Sequence, residues 1–277
     1  MLASFEAGDG IIGKNQKTEP ITLDPTKHYI SIVYSDGDNA QWIQNGFSEY
    51  HTWQSYDNGV PVTWTFQPHM QQLSTVDVKR TLDNNKNASF ITGPSGAGYA
   101  RVSFMTHKSL EAFSDLTASQ MLKSGVTTMT LLDEIESESD KKLLSSKLRY
   151  FARYDNIHGG ILQIDPSYYA GGQGEVFFVN DKPFISVKHS LWYPTGNADE
   201  VTDEWLKEQA DIVNSYPADI NSINGFSIIN VHPWTVGPDD LAYFVSCLDD
   251  DVVVITADEM IDALTRSIPH ENAKPEQ

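Results

Sequence analysis

Short runs of β-branched and aromatic residues alternate along the chain with longer segments in which apolar residues recur at helical spacing. This alternation is typical of parallel strands joined by crossover helices. Two apolar runs, 176–179 and 183–187, flank Asn180–Lys182, and their spacing predicts a β-hairpin. Strands are predicted at residues 29–35, 60–66, 88–92, 126–132, 160–164, 183–187, 226–231 and 252–255.

These elements predict an α/β fold. We expect a single (β/α) barrel of about seven to eight mostly parallel strands with an inserted hairpin, and a doubly wound open sheet is the alternative. The chain has 277 residues, which suits one such barrel. Residues 27–268 are predicted to form it, residues 1–26 to be a polar, loosely ordered extension, and residues 269–277 to be a disordered tail.

The charge and composition narrow the classes of partner. The formal net charge is −19 at pH 7, and such a surface repels phosphate backbones, so no nucleic acid partner is expected. No window approaches the roughly 18 apolar residues of a membrane span, so membrane insertion is not expected either. The single cysteine, Cys247, excludes a disulfide framework within the chain.

Acidic residues follow several of the predicted strands. Asp36, Asp38 and Asn39 come directly after the first strand, and Asp133 and Asp165 follow two later ones. The carboxyl ends of the strands of a barrel meet at one face, where such folds place their chemistry. Each carboxylate has an alternative interpretation as a turn residue or a helix cap. For Glu134, which follows Asp133, capping is the preferred interpretation.

Aromatic residues also collect near the strand ends. Flat aromatic faces stack on sugar rings, whereas packing beneath loops is the alternative for any single tryptophan. His232 precedes a proline and a tryptophan, and it could be a metal ligand, a general acid or base, or a hydrogen-bonded rim residue. The tryptophans concerned are Trp42, Trp64, Trp192 and Trp234.

The loop that follows the third strand, residues 93–99, is rich in glycine. Ser95, Gly96, Gly98 and Tyr99 lie in it, and glycines there allow positive φ and close approach of the backbone to a ligand. The spacing matches neither a dinucleotide-binding motif nor a Walker phosphate loop. The chain also lacks a Gly-x-Ser-x-Gly elbow and a His-Glu-x-x-His motif, so serine-nucleophile and zincin chemistry are unsupported.

Three segments, in order, resemble the C-terminal domain of the bacterial GxGYxYxYP putative glycoside hydrolase family: Ser35–Trp42, Val60–Thr65 and Gly93–Tyr99. The similarity spans about residues 27–264. Gly96–Tyr99 match the first half of the namesake motif, and Arg101, Ser103 and Phe104 stand where the family has tyrosine, tyrosine and proline. The resemblance implies a carbohydrate-active domain and export from the cell, although no signal peptide is recognisable in this sequence.

Three functions remain open. The first is hydrolysis of a glycosidic bond by paired carboxylates, with Asp36, Asp38, Asp133 and Asp165 as the catalytic candidates. An oligo- or polysaccharide would then contact Asn39, the four tryptophans, the glycine-rich loop and His232. The second is a metal-dependent polysaccharide deacetylase of the NodB type, with a divalent metal at Asp36, Asp38 and His232. The third is a glycan-binding module without catalysis. For the first function, hydrolysis, no cofactor is expected.

Overall fold

The computed structural model describes Gly13 and residues 19–35, 59–84 and 88–270, and all that follows concerns these residues. Strands and helices alternate through most of this part of the chain, as the periodicity predicts. The strands are β1 (His28–Tyr34), β2 (Val62–Phe66), β3 (Ser89–Thr92), β4 (Thr128–Glu134), β5 (Gly159–Asp165), β6 (Val176–Val179), β7 (Lys182–Leu191), β8 (Phe226–Val231) and β9 (Val252–Ile255). The helices are α1 (Met70–Leu73), α2 (Thr75–Asn84), α3 (His107–Ser124), α4 (Glu138–Ala152), α5 (Asp203–Asn214), α6 (Pro238–Ser246) and α7 (Ala257–Ser267).

The sheet follows the order β3-β2-β1-β8-β7-β5-β4, and every pair along this path is parallel. Starting from β1 and passing through β2 and β3, the strands continue across the gap between β3 and β4 with β4, β5, β7 and β8, and β8 pairs with β1. The strands therefore follow one another in chain order around a nearly closed barrel. Two strands lie off the path: β6 pairs antiparallel with β7, and β9 pairs with the first half of β1. The predicted barrel of mostly parallel strands and the predicted hairpin are therefore confirmed.

The barrel closes between β3 and β4 through single hydrogen bonds and one isolated bridge instead of a regular ladder. The N–H of Thr130 donates to Oγ1 of Thr92 at 3.0 Å, and the N–H of Gly96 donates to the carbonyl of Thr130 at 3.1 Å. The N–H of Leu132 donates to Oγ of Ser95 at 2.7 Å, and Arg101 then forms an isolated parallel bridge with Leu132. We call residues 93–101 the closing loop, because Ser95, Gly96 and Arg101 make the contacts with β4 that a regular strand pairing would otherwise make.

Helix α7 covers the amino-terminal end of the barrel. It packs on β1, β3, β4 and β7, which lie on different sides of the barrel. Its first turn meets the beginnings of the strands: the N–H of Ala257 donates to Oγ1 of Thr63, and Thr128 donates to Oδ1 of Asp258 at 2.7 Å. Apolar residues of α7 and of the strand faces turned toward the barrel axis form one core cluster. With this end covered, the carboxyl ends of the strands are left for a binding site.

A second core cluster lies between the sheet and the outer helices. Strand residues alternate between the two clusters, as the pleat requires: Ile161 belongs to the inner cluster, whereas Met129, Leu131 and Leu162 belong to the outer one. This alternation decides which side chains at the strand ends can reach a central cleft. None of the helices within the described ranges is both long enough and apolar enough to cross a bilayer.

The closing loop provides a test of its structural role. Gly96 has φ +57°, and a Cβ on it would lie 2.5 Å from Cγ2 of Thr117, whereas Gly196 has φ +71° and open space around it. Gly196→Ala should therefore cost only the positive-φ penalty of about 1–2 kcal/mol. Gly96→Ala should cost roughly 3 kcal/mol or more in the free energy of unfolding, since overpacking adds to that penalty. Denaturant titration of both variants measures this, and equal losses would contradict the close packing of the loop at Gly96 against Thr117.

Candidate functional site

A cleft of about 480 Å³ lies at the carboxyl ends of β4, β5 and β7. Charged residues line one part of it and aromatic residues another. The lining residues are Arg101, Glu134, Glu136, Asp165, Pro166, Ser167, Tyr168, Tyr169 and Trp192. The ends of β4 and β5 each contribute a carboxylate and the end of β7 contributes an aromatic ring, so neighbouring strand ends supply the site, as expected for a barrel.

The charged part is built around Arg101. Nη2 of Arg101 lies 2.5 Å from Oδ2 of Asp165, and its Nη1 donates to Oε2 of Glu134. Glu134 and Asp165 are the paired last residues of β4 and β5, so the sheet register itself places their carboxylates side by side. All three side chains are about one-third exposed, with relative exposures of 36%, 35% and 31%. The guanidinium thus fixes the orientation of two carboxylates at the mouth of the cleft.

Asp133 lies on the opposite face of β4. Its neighbours on that face, Met129 and Leu131, pack in the outer core, and the carboxylate itself is fully buried. It accepts hydrogen bonds from the N–H of Ser103 at 2.9 Å and from the Ser103 hydroxyl. Burial raises the pKa of Asp133, while the Ser103 hydrogen bonds act in the opposite direction. These contacts hold the 3₁₀ turn Val102–Phe104 against β4, just after Arg101.

The aromatic part of the cleft centres on Trp192, which follows β7. The ring of Tyr168 lies 5.2 Å from it at 30°, and the ring of Tyr169 lies 5.6 Å from it, nearly edge-on. His232 also stacks on Trp192, with 3.6 Å between centroids and 7° between planes. Tyr168 remains 45% exposed, so part of its surface is open to a ligand.

An unusual turn presents the two tyrosines. Ser167, Tyr168 and Tyr169 have φ values of 72°, 52° and 72°, three consecutive left-handed residues without a glycine. Each such residue costs free energy, and such strain persists only where the surroundings enforce it. The turn is fixed by hydrogen bonds from the N–H of Ile164 to the carbonyl of Tyr169 and from the N–H of Ala170 to the carbonyl of Ser167. Strain of this kind is concentrated at binding sites, which supports a functional interpretation of this turn.

His232 is buried and uncharged at neutral pH. Burial lowers the pKa of His232 from 6.5 to about 4. Its Nδ1 lies 3.3 Å from Oγ1 of Thr235, and its backbone N–H donates to the carbonyl of Leu191. The imidazole ring of His232 is therefore neutral and hydrogen-bonded, and it supports Trp192 by packing against it.

Two buried amides lie deeper in the barrel below Asp165. Gln163 precedes Asp165 by two residues on the same face of β5, and its Nε2 donates to Oδ1 of Asn230 at 2.9 Å. Asn230 lies on β8, two strands away from β5, and its side chain meets that of Gln163 inside the barrel. Both side chains are fully buried, so this hydrogen bond is a polar contact inside the barrel.

The structure brings together some of the residues predicted from the sequence. Asp165 and Trp192 line the cleft, and His232 stacks on Trp192 without lining the cleft itself. Tyr99 and Trp234 are 62% and 42% exposed without lining this cleft. Their predicted contact with a sugar stays a prediction.

Other predicted residues are placed in the core or in the closing loop. Trp64 is 2% exposed and stacks on Tyr34 at 4.1 Å in the outer core. Ser95 is fully buried, and its hydroxyl donates to the carbonyl of Ala100 besides accepting from Leu132. Gly96 and Gly98 belong to the same loop, where the N–H of Gly98 donates back to Ser95. Asp36, Asp38, Asn39 and Trp42 lie outside the described residues.

Seven residues that line the cleft were not among the sequence candidates. They are Arg101, Glu134, Glu136, Pro166, Ser167, Tyr168 and Tyr169. The preferred interpretation of Glu134 as a helix cap was wrong, because Ser137 caps α4 and Glu134 pairs with Arg101. Strand alternation together with the register of β4 and β5 could have selected Glu134 over Asp133. The left-handed turn at the tyrosines leaves no such signal, because its residues are not glycines.

Together these features define an α/β barrel with an open cleft that is lined by carboxylates and aromatic rings. The chain belongs to the GxGYxYP putative glycoside hydrolase C-terminal domain family, whose model matches residues 26–265. No curated protein matches the sequence.

Two solved structures are similar in fold. A putative hydrolase from Bacteroides thetaiotaomicron VPI-5482 superposes with a TM-score of 0.76 and 22% identity, over 92% of this chain and 49% of that protein. This chain thus spans about half the length of that relative. A putative polysaccharide deacetylase from Mycobacterium smegmatis superposes with a TM-score of 0.51 and 13% identity, over 95% of this chain and 99% of that protein. At these identities the likeness shows the fold alone.

The described residues contain no group of three or more histidine, cysteine or acidic side chains that could hold a metal ion. Of the metal ligands considered for the deacetylase, His232 is within these residues and packs on Trp192. Asp36 and Asp38 lie outside them.

His232 predicts a specific dependence of stability on pH. Its pKa of about 4 in the folded chain is below the ordinary 6.5, so the unfolded chain binds the proton first as the pH falls. The neutral His232 makes its full contribution to the free energy of unfolding above pH 6.5. This contribution should be lost progressively toward pH 4, by about 3 kcal/mol in total. His232→Phe retains a flat ring but cannot titrate. Its free energy of unfolding should therefore fall less steeply than that of the wild type across this range, by up to about 1.4 kcal/mol per pH unit. If the free energies of unfolding of the two proteins fall in parallel across this range, His232 does not cause the pH dependence. A constant difference between them above pH 7 would report the change in packing alone.

Proposed function

We propose that this domain binds an oligo- or polysaccharide in the cleft and hydrolyses a glycosidic bond there. One observation carries the proposal: two carboxylates are oriented by Arg101 beside an open aromatic surface, all at the carboxyl ends of barrel strands. The name of the family agrees with this class of substrate. Export of the protein, which the resemblance implies, stays a prediction.

The aromatic surface suits a sugar ring. Trp192 packs against the ring of Tyr168 with 5.2 Å between centroids, so it supports the exposed part of Tyr168 as an apolar surface. The C–H groups on one face of a pyranose are weakly positive and pack favourably on π-faces. Because the turn beneath Tyr168 is strained and hydrogen-bonded, the surface is already formed before the ligand arrives.

The carboxylates supply the chemistry. Hydrolysis requires one carboxyl group as acid and a second as nucleophile or base. We assign the second role to Asp165, because its carboxylate is oriented by a charged hydrogen bond from Arg101 and lies next to the aromatic surface. For the acid we retain Asp36 or Asp38, which follow Ser35 in sequence just after the end of β1. Asp133 is assigned a positioning role through Ser103.

The test combines turnover with binding on a panel of glycans. Asp165→Asn should reduce the release of reducing ends by at least about 100-fold, since it removes a reacting carboxylate. Calorimetry should show that this variant binds the same glycan within several-fold of the wild type. Asp211→Asn is the matched control, because Asp211 is exposed on α5 and pairs with Lys207.

Other outcomes would select a different function. Tight binding without turnover on the whole panel would identify a glycan-binding module. Release of acetate from N-acetylated glycans, abolished by a chelator and restored by a divalent metal, would identify a deacetylase. Absence of binding to every glycan would overturn the proposal.

A further inference from the structure

We propose that the cleft selects glycans that carry a free, protonated amino group and discriminates against glycans with carboxylate or sulfate groups. This inference rests on the proposed function and specifies the substrate class of the same site. It depends on the balance of charge in the cleft. Glu134, Glu136 and Asp165 line the cleft together with Arg101, so three carboxylates face one guanidinium.

Arg101 is not free to receive an anionic ligand. One terminal nitrogen of its guanidinium donates to Glu134 and the other to Asp165. An acidic sugar would have to break one of these ion pairs and would then stand beside the released carboxylate. Like charges at such close range are unfavourable, so anionic glycans are disfavoured at this position.

Glu136 supplies an unbalanced negative charge. It follows β4 by two residues and is exposed, and its backbone N–H donates to Oδ2 of Asp140 at 3.1 Å. Within the described ranges, Arg101 is the cation that lines the cleft, and its two terminal nitrogens serve Glu134 and Asp165. Three carboxylates and one guanidinium leave two negative charges in the cleft, and an ammonium group on the ligand would compensate one of them.

The aromatic surface is consistent with the same ligand. A cation near the face of tyrosine or tryptophan is attracted by the ring quadrupole. A sugar ring that stacks on the exposed part of Tyr168 would have its substituents near the carboxylates, since both line the one cleft. An ammonium substituent would gain from both sides, whereas a hydroxyl group would gain only hydrogen bonds.

The experiment compares two oligosaccharides of the same backbone. A β-1,4-linked glucosamine tetramer and a β-1,4-linked glucose tetramer differ at C2, where one has an ammonium and the other a hydroxyl group. Calorimetry on the wild-type protein at mildly acidic pH, with thio-linked forms of both tetramers that resist hydrolysis, keeps the amine protonated and all three carboxylates in place. The glucosamine tetramer should bind about tenfold more tightly at low salt, and this advantage should shrink at about 1 M salt, where screening acts within a few ångströms. A galacturonate tetramer should bind more weakly than either.

Variants locate the effect in the cleft. Glu136→Gln should weaken binding of the glucosamine tetramer severalfold and leave binding of the glucose tetramer unchanged. Glu208→Gln removes the same charge from an exposed position on α5 outside the cleft, so it should change neither. If both tetramers bind equally, or if the galacturonate tetramer binds more tightly, charge selection is wrong while glycan binding stands. If no tetramer binds, the proposed function itself fails.

Discussion

The closure of the barrel between β3 and β4 is the constraint on which the site depends. These two strands share no regular ladder, and the closing loop joins them through Ser95, Gly96 and Thr130. The loop then bridges Leu132 with Arg101, which places the guanidinium at the mouth of the cleft. The contacts that close the barrel therefore also position the residue that orients Glu134 and Asp165. A change in this loop is expected to affect both the stability of the barrel and the geometry of the cleft.

Adjacent acidic residues at the end of β4 have different roles because the strand alternates. Asp133 turns toward the helices and secures Ser103, whereas Glu134 turns toward the cleft and pairs with Arg101. Burial raises the pKa of Asp133 and its hydrogen bonds offset part of that effect, as is typical of a structural carboxyl group. Burial alone is thus a poor guide to catalysis in this barrel. The partly exposed, ion-paired carboxylates are the ones that can meet a ligand.

Much of the fold was predictable from the sequence. Strong apolar periodicity located the strands, and helical crossovers required parallel pairing, so the barrel and the hairpin followed. The site was predictable only in part. Asp165 and Trp192 lie where a strand-end argument puts them, but Trp64 and Ser95 are used for packing and closure. The pairing of Arg101 with residues more than thirty positions away depends on barrel closure, which no local pattern encodes. The left-handed turn at Tyr168 is likewise set by tertiary hydrogen bonds and not by its own residues.

The decisive measurement is a crystal structure of the Asp165→Asn variant with a bound oligosaccharide. We expect a sugar ring stacked on the exposed part of Tyr168, with its glycosidic oxygen facing the position of the Asp165 carboxylate. We also expect Arg101 to remain in contact with Glu134. A sugar bound elsewhere on the barrel, with this cleft filled only by solvent, would contradict the account.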